Sequence, residues 1–346
     1  MNKRILSSIL SLFVALSAIV LVSNRAERHV MARAAGSYTL SSLPASDAVI
    51  YIDAQRLLTD YIPGLLVNSP KLLARVNQEL DHFKEKTSID LRTFDSVAVG
   101  VRFNSPPTGE DFKLVFLAQG RFDANAVLDA ALGAARRNGL HPQERQYDGR
   151  TLYVLSRQKQ EVERTEQTID KPEEAPANRH EMALAVVDAN TFAFGNFESV
   201  RAALDISAER VSDELVQLAT RTPGAVVGYS SNVPAFLKEQ LAKDKETIAR
   251  NFATVRQVYG SINATASDAE ISMTLRTESA DQARHVNEAV NALKLIVGLA
   301  PKKPSMGDMR PLPELIKALT VTNEGNEVFL NLKLTQADVV SLMRNF

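Results

Sequence analysis

The alternation of apolar and polar positions over residues 94–138 sets the grammar of the chain. FDSVAVGVRF reads as a strand, NSPPTGED as a turn, FKLVFLAQGRF as a second strand and DANAVLDAALGAARRN as an amphipathic helix. The same order returns over residues 256–297, as RQVYGSINATA, SD, AEISMTLRTE and SADQARHVNEAVNALKLIV. Ile271, Met273 and Leu275 alternate with Glu270, Ser272, Thr274 and Arg276, so one face of that strand should pack on helices and the other meet water or a partner. In FKLVFLAQ both Leu114/Phe116/Ala118 and Val115/Leu117 are apolar, so that strand should be covered on both faces. The second half of the chain is the expected cover; a lipid-like ligand or a partner is the alternative.

The remaining segments fit the same scheme. AVIYID is a short strand, AQRLLTDYIP a helix stopped near Pro63 and Gly64, and residues 70–86 a helix with Leu72, Leu73, Val76, Leu80 and Phe83 in one stripe. Asp123 suits an N-cap, and Val127, Leu128, Ala131, Leu132 and Ala135 form the inward stripe after it. HPQERQYDGRTLYVL is a hairpin turning at Asp148-Gly149. MALAVVDANTFAFGN is another, with FESVRAALD after it as a helix capped by Asn196. A helix near residues 212–220 leads to Pro223-Gly224, after which AVVGYSS takes the place that AVIYID held. Ser279 and Gln282 form a capping box for a long helix whose stripe is Ala283, Val286, Val290, Leu293 and Val297. ALTVTN, Glu324-Gly325 and NEVFLNLKL make the last hairpin, and a helix follows from Thr335.

The fold class expected is therefore α+β, with two similar halves, each a mainly antiparallel sheet packed with amphipathic helices, preceded by an N-terminal hydrophobic helix. The divisions are 1–36 for a signal-anchor or signal peptide with its spacer, 37–222 for the first half and 223–346 for the second. Residues 157–180 are charged and Gln-rich, hold Pro172 and Pro176, and read as a mobile insertion. Identity between the halves is low, so the duplication rests on pattern.

Lys3 and Arg4 precede an uncharged run over residues 5–22, ILSSILSLFVALSAIVLV. Its 18 residues lie at the short end of a membrane span and exceed the usual signal h-region of about 7–15. An uncleaved single-pass membrane anchor is expected, with Met1–Arg4 cytoplasmic and the folded region outside. The alternatives are a secreted or periplasmic protein after cleavage near Ala32-Arg33-Ala34, and a buried core helix.

Lys and Arg total 40 against 41 Asp and Glu, so no basic footprint for nucleic acid exists overall. Cysteine is absent, which removes disulfides, thiolate nucleophiles and thiolate-bound metals. The five histidines, His29, His82, His141, His180 and His285, show no metal-ligand spacing; His285 and Glu288 lie one helical turn apart and read as a solvated pair. Gly228-Tyr229-Ser230-Ser231-Asn232 lacks the second glycine of a nucleophile elbow, and its serines read as turn residues. Asp123 would itself occupy any anion position at Gly120-Arg121-Phe122-Asp123. Asp53, Asp60, Asp90 and Asp95 read as caps and strand ends.

The first half resembles a family of uncharacterised exported or membrane-anchored bacterial proteins. The resemblance is carried by LPASDAVIYIDAQRLL, the T-x-I-D segment Thr87 to Asp90, GRFD at 120–123, YDGRTLY at 147–153 and FESVRAALD. It covers roughly half the chain, implies a secreted or anchored α+β protein, and brings no catalytic residues with it.

No catalytic residues, cofactor or metal ligands are assigned, and the reading leans away from an enzyme. The expected function is that of a non-enzymatic, membrane-tethered extracytoplasmic protein that binds a partner or supports envelope assembly. The alternatives are a carrier or chaperone for an apolar or lipid-like ligand, and a hydrolase whose carboxylates converge only in three dimensions. Expected partners are the membrane through the N-terminal helix and an envelope protein or lipid-like ligand, not nucleic acid. The contact surface expected is the Pro-rich segment 300–313, where Lys302, Lys303, Met306, Met309 and Arg310 combine adaptable apolar side chains with positive charge.

Overall fold

The computed structural model describes residues 37–108, 110–157, 181–264, 268–299 and 312–344. The fold is α+β. Twelve strands form one sheet: β1 (Ala48–Asp53), β2 (Phe94–Thr108), β3 (Glu110–Gly120), β4 (Leu140–Tyr147), β5 (Arg150–Arg157), β6 (Met182–Asp188), β7 (Thr191–Asn196), β8 (Val227–Asn232), β9 (Gln257–Ala264), β10 (Asp268–Arg276), β11 (Thr320–Glu324) and β12 (Glu327–Thr335). Their order is β11-β12-β10-β9-β8-β1-β2-β3-β7-β6-β5-β4, and every adjacent pair is antiparallel. β1 pairs with β8, so the sheet runs without a break across residue 222. Outward from that seam, β1-β2-β3-β7-β6 on one side mirrors β8-β9-β10-β12-β11 on the other.

The front face carries Ile50, Ile52, Val97, Val99, Phe116, Val227 and Ile262. Over it lie the helical turns α1 (Ala54–Arg56) and α2 (Ile62–Leu65), joined by the π-helical turn Leu57–Tyr61, then α3 (Pro70–Thr87) and α4 (Ala124–Arg137). Asp123 caps α4 as expected, accepting from Asn125 N–H at 2.9 Å. Of the expected α3 stripe only Leu80 is buried, because α3 rides at the margin of the core. On the back face, β3 is covered by Leu40 and Leu43, by α5 (Phe197–Leu204) and by α6 (Asp213–Ala219). The second apolar face of FKLVFLAQ is thus filled from within the first half, not by the second half and not by a ligand.

In the second half α7 (Ala235–Ala242) and α8 (Thr247–Phe252) precede β9, and α9 (Ala280–Leu299) packs on the front face with Ala283, Val286 and Val290 against Leu275 and Val328. α10 (Leu312–Ala318) and α11 (Gln336–Arg344) complete the front layer through Leu315 and Val339. The alternation read in β10 is realised: Ile271, Met273 and Leu275 join the apolar clusters, and Glu270, Ser272, Thr274 and Arg276 stand on the back. Among the described residues no helix is long and apolar enough to cross a membrane. Residues 5–22 and most of 157–180 lie outside the described residues.

Candidate functional site

Lys302, Lys303, Met306, Met309 and Arg310 lie outside the described residues, and α9 ends at Leu299, just before them in the chain. The capping box forms in a shifted version: Ser279 Oγ accepts from Gln282 N–H at 3.3 Å, and Gln282 Oε1 accepts from Glu278 N–H at 3.0 Å. The first turns of α9 bury Ala283, Val286, Ala289 and Val290. Its last third overruns that core, leaving Leu293 38%, Leu295 68% and Ile296 57% exposed. Lys294 Nζ donates to the Leu319 carbonyl and pins this end beside α10. Three large aliphatic side chains therefore face solvent immediately before the basic, Met-containing segment.

A second feature is a polar cleft of about 220 Å³ at one end of the back face, lined by Ala45, Ser46, Asp47, Arg102, Glu209, Arg210, Ser212 and Asn232. The chain folds there because Ala45 N–H donates to the Glu209 carbonyl at 2.8 Å and Asn232 N–H to the Asp47 carbonyl at 2.8 Å. These contacts join the entry of β1 to the turn after α5 and to the end of β8. Nothing in the sequence pattern marked the cleft, whose lining comes from four separate stretches.

A third cluster sits where the back faces of β9, β10 and β12 meet α6. Arg276 donates to Glu327 Oε1 at 2.8 and 3.0 Å and to Gln257 Oε1 at 3.0 Å. The Tyr259 ring lies 5.2 Å from the Arg276 guanidinium and 5.3 Å from that of Arg221. Burial alone would raise the Glu327 carboxyl, but hydrogen bonds with Tyr259 and Arg276 and the two guanidinium charges outweigh it and hold it below the usual carboxylate range. Burial and the Glu327 hydrogen bond push the Tyr259 hydroxyl up. These groups satisfy one another, so the cluster is a brace between α6 and the sheet.

The other chemistry considered resolves into structural roles. Asp53 caps α1 and pairs with Arg56, Asp60 accepts from Thr59, Asp90 accepts from Arg92 N–H and from Lys84, and Asp95 pairs with Arg121. Ser230 lies in β8, not a turn; it is 1% exposed and its hydroxyl donates to the Leu215 carbonyl at 2.6 Å. Asn196 stands at the N-cap of α5 but makes no capping bond with its side chain; its Oδ1 accepts from Leu114 N–H at 2.7 Å instead. His82 lies 3.9 Å from Glu85 on α3, while His141, His285 and Glu288 are exposed. His29 and His180 are outside the described residues, and among those described no three His, Asp or Glu side chains group as metal ligands.

No family model and no curated protein matches the chain. Among solved structures it is similar to crystal form I of TP0453, with a TM-score of 0.43 and 10% identity over 88% of this chain and 97% of that one. Crystal forms III and IV of TP0453 each give a TM-score of 0.42, with 10% and 8% identity over 89% of this chain and 98% and 96% of theirs. At these scores and identities the likeness assigns neither family nor activity.

Proposed function

We propose that this chain is a non-catalytic binding module of the bacterial envelope, tethered to the outer side of the cell membrane through residues 1–36. In this reading 37–222 and 223–346 are duplicated α+β units, a relation favoured by the mirrored strand order on the two sides of the β1/β8 seam. The partner-contacting surface is the end of α9 together with the segment 300–313. One observation carries it: Leu295 and Ile296 stand exposed on a helix that leads directly into Lys302, Lys303, Met306, Met309 and Arg310. Exposed aliphatic side chains beside positive charge suit an acidic protein surface or anionic headgroups, with methionine adapting to the irregular apolar part.

Two variants test the surface. Replacing Leu295 and Ile296 by Ser should change unfolding free energy by no more than about 0.5 kcal/mol, because exposed side chains contribute little, and the same bound is expected on replacing Lys302, Lys303 and Arg310 by Ser. Both should reduce recovery of a partner from envelope extract or flotation with phosphatidylglycerol vesicles. Loss of the first alone identifies a protein surface and of the second alone a lipid surface. Full retention of both by both variants would leave the segment a connector and sink the proposal. Protease added to spheroplasts should digest the folded region; a protected one would overturn the orientation.

A further inference from the structure

We propose that β11 is a docking edge for a second copy of this chain, the two β11 strands pairing antiparallel about Thr322 so that two sheets join into one. The two ends of the sheet are unequal. Outside β6 the first half adds β5 and β4, whereas β11, which holds the place of β6 in the mirrored order, has only β12 beside it among the described residues. β5 meets β6 antiparallel, with Leu152 opposite Ala185 and Leu155 opposite Met182. The position that β5 fills in one half is therefore open to a strand in the other. The far edge of the sheet is guarded, because β4 carries Pro142, Glu144 and Arg145. Apart from its shortness, β11 (TVTNE) has few such guards: no Pro, no Lys and no bulge, with its single charge, Glu324, at its end. Thr320, Thr322, Asn323 and Glu324 are exposed.

Register decides which groups this edge offers. The turn at Gly325-Asn326, with Gly325 at φ +54°, closes Glu324 on Glu327 as a hydrogen-bonded pair. Hydrogen-bonded and open pairs then alternate. Thr320 and Thr322 therefore turn their backbone groups to β12, while Val321 and Asn323 turn theirs outward. The strand is also held in place for a partner. Asn287 Nδ2 donates to Asn323 Oδ1 at 2.8 Å and Lys294 Nζ to the Leu319 carbonyl, so α9 lies along its front face. Pairing of two copies about Thr322 sets Val321 of each against Asn323 of the other, and every outward N–H and C=O of the two strands finds a partner. Thr322 then faces its own copy, a favourable cross-strand pair, and Glu324 falls opposite Thr320, so no like charges meet. A two-fold pairing of this kind is closed and ends at the dimer. It uses no residue of the contact surface proposed above, so the two readings stand or fall separately.

The chain contains no cysteine, which makes single-cysteine crosslinking diagnostic. In the full chain in detergent, Thr322→Cys should oxidise to a disulfide-linked dimer when treated with copper phenanthroline. Residues facing one another in an open antiparallel pair lie about 4.5 Å apart at Cα, inside the range a disulfide spans. Thr320→Cys is the control on the same strand and face: its twin would lie more than about 13 Å away, and the variant should stay uncrosslinked. Thr322→Lys and Thr322→Glu should each weaken dimerisation about fivefold in sedimentation equilibrium, and an equimolar mixture of the two should restore it, because opposite charges then face each other. Thermal midpoints should hold in all four variants, since both threonines are exposed. No crosslinking at 322, equal crosslinking at 320 and 322, or a mixture that associates no more tightly than its components overturns self-pairing. A monomer throughout would assign the edge to an extended segment of another protein instead.

Discussion

Arg56→Ala should destabilise the protein by about 3–5 kcal/mol, the penalty for stranding one charge of a buried pair. Asp53 and Arg56 sit at the junction of β1 and α1 with side chains only 8% and 9% exposed, respectively. Asp53 Oδ1 accepts from Arg56 N–H at 2.9 Å, and Oδ2 lies 3.4 Å from the guanidinium. Arg56 also donates to the Tyr61 hydroxyl and, 168 residues along the chain, to the Gly224 carbonyl at 3.1 Å. The side chain thus holds the turn after β1 to the segment that enters β8. Removing it leaves a buried carboxylate and a carbonyl with one bond fewer, neither of which water reaches easily. Equilibrium denaturation measures the loss, and a change below about 1 kcal/mol would show that the pair is replaceable by solvent.

The pH dependence of that variant has a definite sign. Burial already raises the Asp53 carboxyl above its ordinary value, with the Arg56 N–H, charge and side chain pulling it back down. Without the guanidinium the pull weakens and the folded-state value climbs further. A raised folded-state value contributes stability present below the unfolded value and lost as pH rises through the folded one. Arg56→Ala should therefore regain stability on acidification from neutral pH through the folded-state value of Asp53. Asp53→Asn with Arg56→Met should recover most of the loss, because an apolar replacement removes both charges and Asn retains the cap.

Local rules made much of this fold readable. The alternation in β10, the Asp148-Gly149 turn with both residues at positive φ, the Asp123 cap and the long amphipathic α9 depend on residues a few places apart. Such signals survive any tertiary arrangement. The cover of β3 is not legible in the sequence, because a two-sided apolar strand demands a cover without naming it. α5 and α6 supply it, and their placement follows from chain path. Local preference makes Ser230 a turn residue and Asn196 a cap, but Ser230 bonds to Leu215 on α6 and Asn196 to Leu114 on β3. The cleft was invisible for the same reason: Arg102 meets Asp47, Glu209 and Asn232 only through longer connections.

Gly228→Ala should cost about 3 kcal/mol, at the upper end of what overpacking usually does. A Cβ built there would lie 1.9 Å from the Ala219 carbonyl oxygen and 3.0 Å from its carbon. Both are backbone atoms, so no rotamer change can relieve the clash. The helix itself would have to lift. α6 is held to the seam of the sheet by the Ser230 bond to the Leu215 carbonyl, and by Leu215, Val216 and Ala219 in the back-face core with Val49 and Tyr51. Lifting it opens that core beside β1 and β8, where the two sides of the sheet join. Gly133→Ala is the matched control: it lies inside α4, where an added Cβ meets only the movable end of Arg137 at 3.3 Å. Replacing a mid-helix glycine by alanine should stabilise by about 0.5–1 kcal/mol. Chemical denaturation of the two variants should thus shift in opposite directions. Equal or same-sign shifts would mean that α6 does not rest on Gly228, and that the β1/β8 seam is covered in another way.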